Sequence, residues 1–424
     1  MKKKNLELLN DSPTAFNATK NIVEVLEING YHRLKANEKI IYGGKYYVTK
    51  NNSSIMAFNI GENFKKGGFN IVASHLDCPS FKLKPEALIV SDGYLKLNTE
   101  GYGGMIMSTW LDRPLSLAGR VITRSAKGIK INIVNIKENL LLIPNVAIHM
   151  NRDINNGYKY NPKDDLIPLL GLGDKLDFNS FISDKCGLEG EVLSYDLYLY
   201  PRIDAYTWGL DNELLSAFHI DNLGCALTSL EAFITTECKE NINVYVSFDN
   251  EEVGSLTAQG ADSTLMFDYL TKISDDLGLD YLELIDNSLL ISADNAHAHH
   301  PNHPEYSDRI NHAYINKGLV IKYHANQAYT SDALSVALFT TILNRVSIPY
   351  QFFTNRADLR GGSTLGNISN AHVSLRSIDI GLPQLAMHSS LETCGSHDWE
   401  DMIRALSEFY QTKIINNDDG TISI

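Results

Sequence analysis

The chain has no long hydrophobic run. Residues 2–4 are lysines, but Asn5, Glu7 and Asp11 interrupt the segment after them, so the apolar core of a secretory signal peptide is missing. No window of the 424 residues approaches the roughly 20 apolar residues of a membrane-spanning helix. These absences predict a cytoplasmic protein for which a membrane is not a partner.

Cysteine is scarce as well. The five cysteines are scattered along the chain and form no Cys-x-x-Cys pair. This spacing argues against a thiolate zinc site or a disulfide framework, and it is typical of reduced thiols. The residues are Cys78, Cys186, Cys225, Cys238 and Cys394.

Positive charge is in deficit. The sequence has 37 Lys and Arg residues against 51 Asp and Glu residues, which gives a formal net charge of −14. A negative surface repels phosphate backbones, so nucleic acid is not an expected partner. In such a negative chain, a lysine buried in a cleft is informative, because binding an acidic substrate requires a local positive charge.

Repeats and a phosphate-binding glycine fingerprint are also missing. The segment Gly101-Tyr-Gly-Gly104 has the wrong spacing for such a fingerprint, and no helix signal comes after it. The length nevertheless allows two or more domains, each with a sizeable core. An enzyme with an ordinary globular composition is therefore the default class.

The chain does contain an alternating strand that ends in acids. Apolar and polar residues alternate from Ile242 to Phe248, and the adjacent carboxylates Glu251 and Glu252 come soon after. Neighbouring side chains point in different directions, so one carboxylate could bind a cation while the other takes a proton from water. On this stretch alone, two solvated acids at a strand end are the more common arrangement.

Other apolar runs end in the same way. The first run, Phe69–Ala73, precedes His75 and Asp77, which could hydrogen-bond the free nitrogen of that histidine. Another, Leu289–Ala293, leads into Asp294. For any one of these positions taken alone, a structural histidine or a surface acid is the better interpretation.

Two further candidates complete the set. The run from Pro383 to Met387 ends in His388, and Asp221 lies at a strand-to-helix junction, where it could also cap the helix. Ligands of open α/β sheets bind outside the carboxyl ends of the strands, so these groups could converge in one crevice. Two His, two Asp and a Glu suit a pair of zinc-like cations with one bridging carboxylate.

The segment between about residues 85 and 210 has a different hydrophobic pattern. Short alternating runs, among them Ile131–Ile136 and Leu140–Ile148, predict a β-rich domain. We therefore expect an α/β catalytic domain with a mixed sheet, formed by residues 1–84 and 211–424, and an inserted β-rich domain at 85–210. In the catalytic domain, Ser12 is the expected cap of a first helix, and a later helix is expected from Asp332 to Leu343.

Taken together, the ordered motifs resemble the aspartyl aminopeptidase family of dinuclear zinc exopeptidases. The resemblance covers almost the whole chain and implies a zinc-exopeptidase-like fold with an inserted dimerisation domain. It further implies hydrolysis of the N-terminal residue of peptides, preferably Asp or Glu, and a homo-oligomer in which dimers form a tetrahedral dodecamer. The motifs are Ser74–Asp77, Asp221–Leu223, Phe248–Ser255, Ser292–Asp294, Ala296–Ala298 and Gln384–Ser389.

The resemblance also implies roles for individual residues. One cation would be bound by His75, Asp221 and Glu252, and the other by Asp221, Asp294 and His388. Both are divalent, with Zn2+ expected and Co2+ or Mn2+ as alternatives. Glu251 would be the general base for a water held between the cations, and Asp77 would be the partner of the first histidine.

Three further residues relate to the substrate. By resemblance, Lys322 and His297 would line the pocket for an acidic side chain, and His149 would reach the active site of a neighbouring subunit. Without the resemblance, Lys322 is an ordinary strand lysine. The chain departs from the family pattern in a histidine-dense segment, 297–303, and in the basic segment 355–363, which puts the substrate preference in doubt.

Two alternatives stay open at this point. One is a related dinuclear aminopeptidase or deacylase with neutral or broader specificity. The other is a non-catalytic peptide-binding scaffold of the same fold, although such a scaffold has no need to keep a base such as Glu251.

Overall fold

A computed structural model describes residues 3–359, 361–417 and 419–424. Within these ranges the helices are α1 (Lys3–Asp11), α2 (Ala15–Ile28), α3 (Phe178–Cys186), α4 (Ile220–Thr235), α5 (Leu265–Leu277), α6 (Tyr281–Asp286), α7 (Ala333–Arg345), α8 (Leu365–Ser369) and α9 (Ser396–Gln411). Short 3-10 turns occur at Met107–Trp110, Glu251–Val253 and Pro304–Tyr306.

The strands of the same ranges fall into four sheets. In chain order they are β1 (His32–Arg33), β2 (Lys45–Lys50), β3 (Ser54–Ile60), β4 (Phe69–His75), β5 (Ser80–Ser91), β6 (Tyr94–Tyr102), β7 (Leu115–Ser125), β8 (Gly128–Asn135), β9 (Leu169–Leu172), β10 (Val192–Pro201), β11 (Tyr206–Trp208), β12 (Leu214–Ala217), β13 (Ile242–Phe248), β14 (Leu289–Ala293), β15 (Ala296–His297), β16 (Leu319–Tyr323), β17 (Tyr350–Thr354), β18 (Arg376–Gly381), β19 (Pro383–Leu385), β20 (Glu392–Gly395), β21 (Ile415–Asn416) and β22 (Ile422–Ser423).

The largest sheet is mixed and has nine strands in the order β1-β2-β3-β13-β4-β14-β18-β16-β17. Its centre, β13-β4-β14-β18, is parallel, while β3 and β16 run antiparallel to their central neighbours. The strands β4, β13 and β14 are fully buried, as expected for a sheet covered on both faces. Their carboxyl ends therefore meet at one edge, as predicted from the sequence.

Helices cover both faces of this sheet because its strands alternate their side chains. Val72 and Tyr245 join the core that includes α4 and α9, whereas Ile71 and Val244 join the core that includes α5. All four side chains are fully buried. The rigid strands thus provide a fixed platform for the residues at their carboxyl ends.

A second, antiparallel sheet lies between Ser80 and Pro201 and has the strand order β8-β7-β10-β5-β6-β9. It has its own apolar core, which includes Phe81, Trp110 and Leu197. A third sheet, β11-β12-β20-β19-β15, lies against the start of α4, and β21 pairs with β22 near the end of the chain.

Several local predictions need correction. The cap of α2 is Thr14 and not Ser12, because the Thr14 hydroxyl accepts the Asn17 N–H. The run Leu140–Ile148 is not a strand; only isolated bridges form at Leu141 and Leu142, and they lead into a loop with exposed side chains. The helix expected from Asp332 is present as α7, with Asp332 as its cap.

Candidate metal centre

The carboxyl edge of the parallel strands carries three of the predicted residues. His75 is the last residue of β4 and pairs with Phe248 of β13, after which the chain turns through Glu251. Asp294 comes directly after β14, and its backbone N–H donates to the Ile380 carbonyl at 2.9 Å. Sheet pairing thus brings together residues that are far apart in sequence.

Asp221 joins this edge from the first turn of α4. Its Oδ1 lies 3.7 Å from Nε2 of His75, and its Oδ2 lies 3.7 Å from Nε2 of His388. The other oxygen neighbours of these imidazoles are Asp294, 3.7 Å from His75, and Glu252, 3.5 Å from His388. Asp221 therefore lies between two histidines, in the position of a bridging carboxylate.

The potential ligand atoms form three groups, each within 4.8 Å. We call His75, Asp221 and Asp294 the inner group and Asp221, Glu252 and His388 the outer group; His75, Glu251 and Glu252 form the third. This arrangement pairs His75 with Asp294 and His388 with Glu252. It differs from the division implied by the resemblance, which paired His75 with Glu252 and His388 with Asp294.

Both histidines direct Nε2 toward these carboxylates. Nδ1 of His75 donates to the Asp77 carbonyl at 3.1 Å, and Nδ1 of His388 donates to the Gly104 carbonyl at 2.9 Å. In the neutral tautomer, Nε2 of each ring is then an acceptor that faces acceptor oxygens. Such atoms repel one another unless a cation lies between them.

The spacing suits such a cation. Two ligands about 2.1 Å from one tetrahedral zinc ion are about 3.4 Å apart, close to the 3.5–3.7 Å between these nitrogen and oxygen atoms. In addition, Oδ1 of Asp221 is buried and accepts no hydrogen bond from the described residues. The donor set, two imidazoles and three carboxylates, is one that zinc favours.

The electrostatics lead to the same conclusion. Burial, reinforced by the charge of Asp294, raises the pKa of Asp221 to about 6, and burial also raises the pKa of Glu251 to about 8. Burial and the charge of Asp221 raise the pKa of Glu252 well above its usual value. The crevice therefore holds more carboxylate charge than its side chains neutralise, which divalent cations would offset.

Without a cation, the surroundings of the inner group favour the charged forms of two of its members. Burial lowers the pKa of His75, but hydrogen bonding to Asp294 and Asp77 outweighs it and gives a net rise well above the usual value. Burial raises the pKa of Asp294, but Lys322 and His75 outweigh it and lower the pKa to about 2. Asp294 is thus ionised at neutral pH, as a ligand must be.

Asp77 organises the turn that carries the two glutamates. Its carboxylate oxygens accept the backbone N–H groups of Glu251 and Glu252, each at 3.1 Å, and Oδ1 lies 3.4 Å from Nδ1 of His75. The Tyr102 hydroxyl also donates to Asp77, at 2.7 Å. Asp77 therefore contacts the His75 ring and in addition fixes the backbone before and after the Glu251 side chain.

His388 does not lie at a strand end, contrary to the prediction. The strand β19 ends at Leu385 and belongs to the third sheet, and His388 lies beyond it in a turn with a left-handed backbone (φ 68°). Its backbone is held by Glu392, which accepts the His388 N–H at 2.7 Å, and by Ile106, which donates to the His388 carbonyl at 2.9 Å.

Sequence reasoning missed the residues that support His388 and Glu252. The Gly101–Gly104 segment was considered only as a phosphate-binding fingerprint, but its Gly104 carbonyl orients the His388 ring. Gly103 has a left-handed backbone, and a Cβ there would lie 3.1 Å from Cβ of Glu252. A glycine pair next to a strand rich in polar residues was the only available signal, and such pairs are common in ordinary turns.

Lys322 is buried behind the inner group. It is 2% exposed, its Nζ donates to the Asn295 carbonyl at 3.2 Å, and the same atom lies 3.7 Å from Asp294 Oδ2. Burial lowers the pKa of Lys322, but Asp294 outweighs it and the net pKa is raised, so the ammonium stays charged. Its closest charged partner is therefore a member of the inner group.

The other two predicted substrate residues belong to none of the metal groups. His297 ends β15 in an exposed position with its ring against Phe353, and desolvation together with the charge of Lys322 lowers its pKa. His149 is exposed in a turn between β8 and β9 and belongs to none of the three groups. Its own chain therefore does not bring it to the metal centre.

The two segments that depart from the family pattern also have definite positions. The rings of His299 and His312 stack at 4.5 Å, and neither residue joins a metal group. Residues 355–359 and 361–363 line a separate cavity of about 1490 Å3, where the Arg356 guanidinium pairs with Asp358. Arg360, the second arginine of that basic segment, lies outside the described residues.

A comparison with known families decides what this centre belongs to. A profile of the family described as Aminopeptidase I zinc metalloprotease (M18) matches residues 8–410. The chain belongs to the M18 family of aminopeptidases. This confirms the resemblance and identifies the chain as a metalloaminopeptidase, a hydrolase, and not as a non-catalytic scaffold.

Relatives of similar length support this membership. A probable M18 family aminopeptidase 2 of Clostridium acetobutylicum is 42% identical over 423 residues, which cover 96% of this chain and 98% of the relative. The protein of the same description from Pseudomonas entomophila is 38% identical over 419 residues, with 96% and 97% covered.

Solved structures confirm the mixed α/β fold. A chain in the structure of the Ape4 and Nbr1 complex has a TM-score of 0.92 and 35% identity, covering 96% of this chain and 85% of that one. An M18 aminopeptidase of Thermotoga maritima has a TM-score of 0.86 at 23% identity, with 96% and 95% covered. The mApe1 dodecamer of S. cerevisiae has a TM-score of 0.85 at 23% identity, with 96% of each chain covered.

Within residues 3–359, 361–417 and 419–424, every helix is too short or too polar to cross a bilayer.

We expect the Asp77→Asn substitution to lower kcat by about 10- to 100-fold with little change in KM. The amide supplies one acceptor oxygen where the carboxylate supplies two, so the N–H of Glu251 or Glu252 loses its partner. Steady-state kinetics measure kcat and KM separately and so test this prediction. The control is Tyr102→Phe, which removes one donor to Asp77 and leaves both backbone contacts in place; an equal loss in the two variants contradicts the assignment.

Proposed function

We propose that this M18 aminopeptidase removes the N-terminal residue of peptides, preferably Asp or Glu, with two divalent cations and Glu251 as general base. The observation that carries the proposal is the convergence of two imidazole nitrogens, Nε2 of His75 and Nε2 of His388, on the opposite oxygens of Asp221. Beside them, Glu251 makes no side-chain hydrogen bond to the described residues and is free to accept a proton.

The inner and outer groups would each hold one cation, with Asp221 shared between them. The family description supports zinc, and Co2+ or Mn2+ also suit imidazole and carboxylate ligands. When bound, such cations polarise a substrate carbonyl and make water a stronger acid.

Glu251 would move the proton in the reaction. It takes a proton from the attacking water while the water oxygen forms a bond to the carbonyl carbon, and it later gives that proton to the leaving amine nitrogen as the C–N bond breaks. Asp77 holds the Glu251 backbone during both transfers. The pKa of about 8 that burial gives Glu251 would fall when nearby cations are bound, so the residue is ionised and ready as a base.

The acidic preference rests on the position of Lys322. Its ammonium is buried and charged beside Asp294, with His297 nearby, and it would attract a substrate carboxylate in an otherwise negative crevice. The alternative is neutral or broader specificity, in which Lys322 serves Asp294 alone. The contact between Lys322 and Asp294 is compatible with both specificities. They are distinguished by comparing the hydrolysis of acidic and neutral substrates.

The test is hydrolysis of Asp-, Glu-, Leu- and Ala-capped chromogenic amides after chelation and after addition of zinc, cobalt or manganese. We expect metal-restored cleavage that favours Asp and Glu. In Lys322→Met, kcat/KM for the acidic substrates should fall by roughly 30-fold or more, with a much smaller change for Leu and Ala. The control is Lys272→Met on α5, which also removes a lysine paired with a carboxylate, Asp276.

Three outcomes would change the proposal. A parent enzyme that favours Leu or Ala supports the neutral alternative. An equal fall for all four substrates in Lys322→Met assigns the lysine to Asp294 and not to the substrate. Cleavage that resists chelation contradicts the role of the cations.

The second sheet supports a proposal about assembly. We infer that the segment at about 85–210 is an inserted dimerisation domain within a catalytic domain formed by residues 1–84 and 211–424. The boundary near residue 84 falls inside β5 and belongs closer to Ser80, where that strand begins. The second sheet and the loop after β8 expose large apolar side chains, including Ile129 (66%), Met150 (79%) and Leu172 (78%).

These apolar residues are suited to contact with a second copy. Met150 is adjacent to His149, so a dimer formed here would place His149 against the partner, as the resemblance implies. One structural neighbour is a dodecamer, which supports the tetrahedral dodecamer that we propose for this chain. Light scattering of the purified protein measures its mass and so tests whether it forms a dodecamer.

The five free cysteines of the chain are typical of a reducing compartment and support a cytoplasmic location.

A further inference from the structure

A buried carboxylate that belongs to none of the metal groups lies behind the outer group. Glu392, the first residue of β20, is 2% exposed. One of its oxygens accepts the Asp221 N–H at 2.8 Å, and the other accepts the His388 N–H at 2.7 Å. Glu392 therefore connects the backbones of two outer-group residues that are 167 positions apart in the chain.

The backbone at both contacts is irregular. Asp221 has non-helical angles (φ −85°, ψ 103°) although it lies at the start of α4, and His388 has a left-handed backbone (φ 68°) in a turn. Neither N–H donates to a regular helix or sheet partner, and each donates to Glu392 instead. Glu392 thus holds the backbone at Asp221 and His388, as sheet pairing holds the backbone at His75 and Asp294.

The inner group is held in a different way. His75 is part of β4, and the Asp294 N–H donates to the Ile380 carbonyl in extension of the main sheet. Of its three residues, only Asp221 contacts Glu392. In the outer group, two of the three residues, Asp221 and His388, do so. Removing Glu392 therefore disturbs the outer group more than the inner group.

We propose that Glu392 is a positioning residue that fixes Asp221 and His388 as ligands of the outer cation. This inference rests on the proposed function, in which the inner and outer groups each bind a divalent cation. Glu392 belongs to none of the three metal groups and would act without contacting substrate or cation. Its effect passes through the two backbone N–H groups, whose positions set the directions of the Asp221 and His388 side chains.

The substitution Glu392→Gln tests the proposal with little change in shape. Glutamine has one acceptor oxygen and one amide group, so one of the two N–H groups faces another donor and loses its bond. Loss of such an outer partner typically lowers metal affinity by about 10- to 100-fold. We expect that loss at one of the two cation sites and little change at the other.

The chain offers a matched control. Asp398 is a fully buried carboxylate that accepts two backbone N–H groups, those of Asn316 and Gly318, and belongs to none of the metal groups. The Asp398→Asn variant therefore loses the same kind of bond at another place. Its thermal stability should fall while its cation binding stays that of the parent.

The experiment is a titration of the chelated parent, Glu392→Gln, Glu392→Asp and Asp398→Asn with zinc and, separately, cobalt. Bound ions per chain are measured after gel filtration by elemental analysis, and each binding step is measured by competition with a chelating dye. Circular dichroism and the thermal midpoint verify folding. Glu392→Asp is the second variant: it keeps the charge but is one methylene shorter, so it too should weaken a single step.

The outcomes separate this inference from the proposed function. A parent that binds two ions, with one step weakened about 10- to 100-fold in folded Glu392→Gln, supports the positioning role. Two unchanged steps, equal weakening of both, or the same weakening in Asp398→Asn overturns it. A parent that binds no divalent ion overturns the proposed function itself, and the inference with it.

Discussion

Replacing Glu251 with glutamine is expected to lower kcat by about 100- to 10,000-fold while both cations stay bound. The amide has the shape of the carboxylate but cannot accept the proton of the attacking water. The Glu251 side chain has no hydrogen-bond partner among the described residues, and its backbone stays fixed by Asp77. Structure and metal content should therefore change little.

The measurement is kcat with the best capped amide, together with bound ions per chain. Glu252→Gln is the matched control because it makes the same chemical change at the adjacent position. Glu252 lies 3.5 Å from Nε2 of His388 in the outer group, so this variant should lose cation affinity, which Glu251→Gln should keep. A Glu251→Gln enzyme with parental kcat, or one that loses cations as Glu252→Gln does, refutes the assignment of the base.

The Asp221→Asn variant is expected to bind at most one cation per chain and to have background activity. Both oxygens of Asp221 face histidine nitrogens at 3.7 Å, and asparagine has only one oxygen to offer. Elemental analysis after gel filtration measures the change. A variant that keeps two tightly bound ions contradicts the bridging position of Asp221.

The metal-free state of this variant supplies an independent readout. Burial and the charge of Asp294 raise the pKa of Asp221 to about 6, so the folded state disfavours the ionised form. An acid with a raised folded pKa costs stability above that pKa, and at pH 7 the cost is present. The metal-free Asp221→Asn protein should therefore unfold at a higher temperature than the metal-free parent, with no such gain near pH 4.

Buried strands made part of this centre predictable from sequence. Phe69–Ala73 and Leu289–Ala293 are apolar runs of strand length, so the polar residues after them had to leave a sheet at its edge. The structure places His75 and Asp294 there. The direction of the edge was predictable because such buried strands are expected to pair in parallel.

The outer half of the centre was less predictable. His388 was expected at a strand end, but it lies in a turn whose shape depends on Glu392 and on contacts with the loop at Gly104. Turns of this kind are set by long-range hydrogen bonds, which leave no periodic pattern. For the same reason, the pairing of His75 with Asp294 became visible only from the distances between them.

By itself, the sequence determined the kinds of ligand, the family and the strands that carry the inner group, because burial patterns and ordered motifs are local properties of the chain. Only the tertiary structure decided which ligands share a group, that Lys322 pairs with Asp294, and that Glu392 connects Asp221 to His388. These contacts join different segments of the chain, which lie in the main sheet, the third sheet and α4. Their geometry depends on how the sheets pack, and packing is a property of the whole chain.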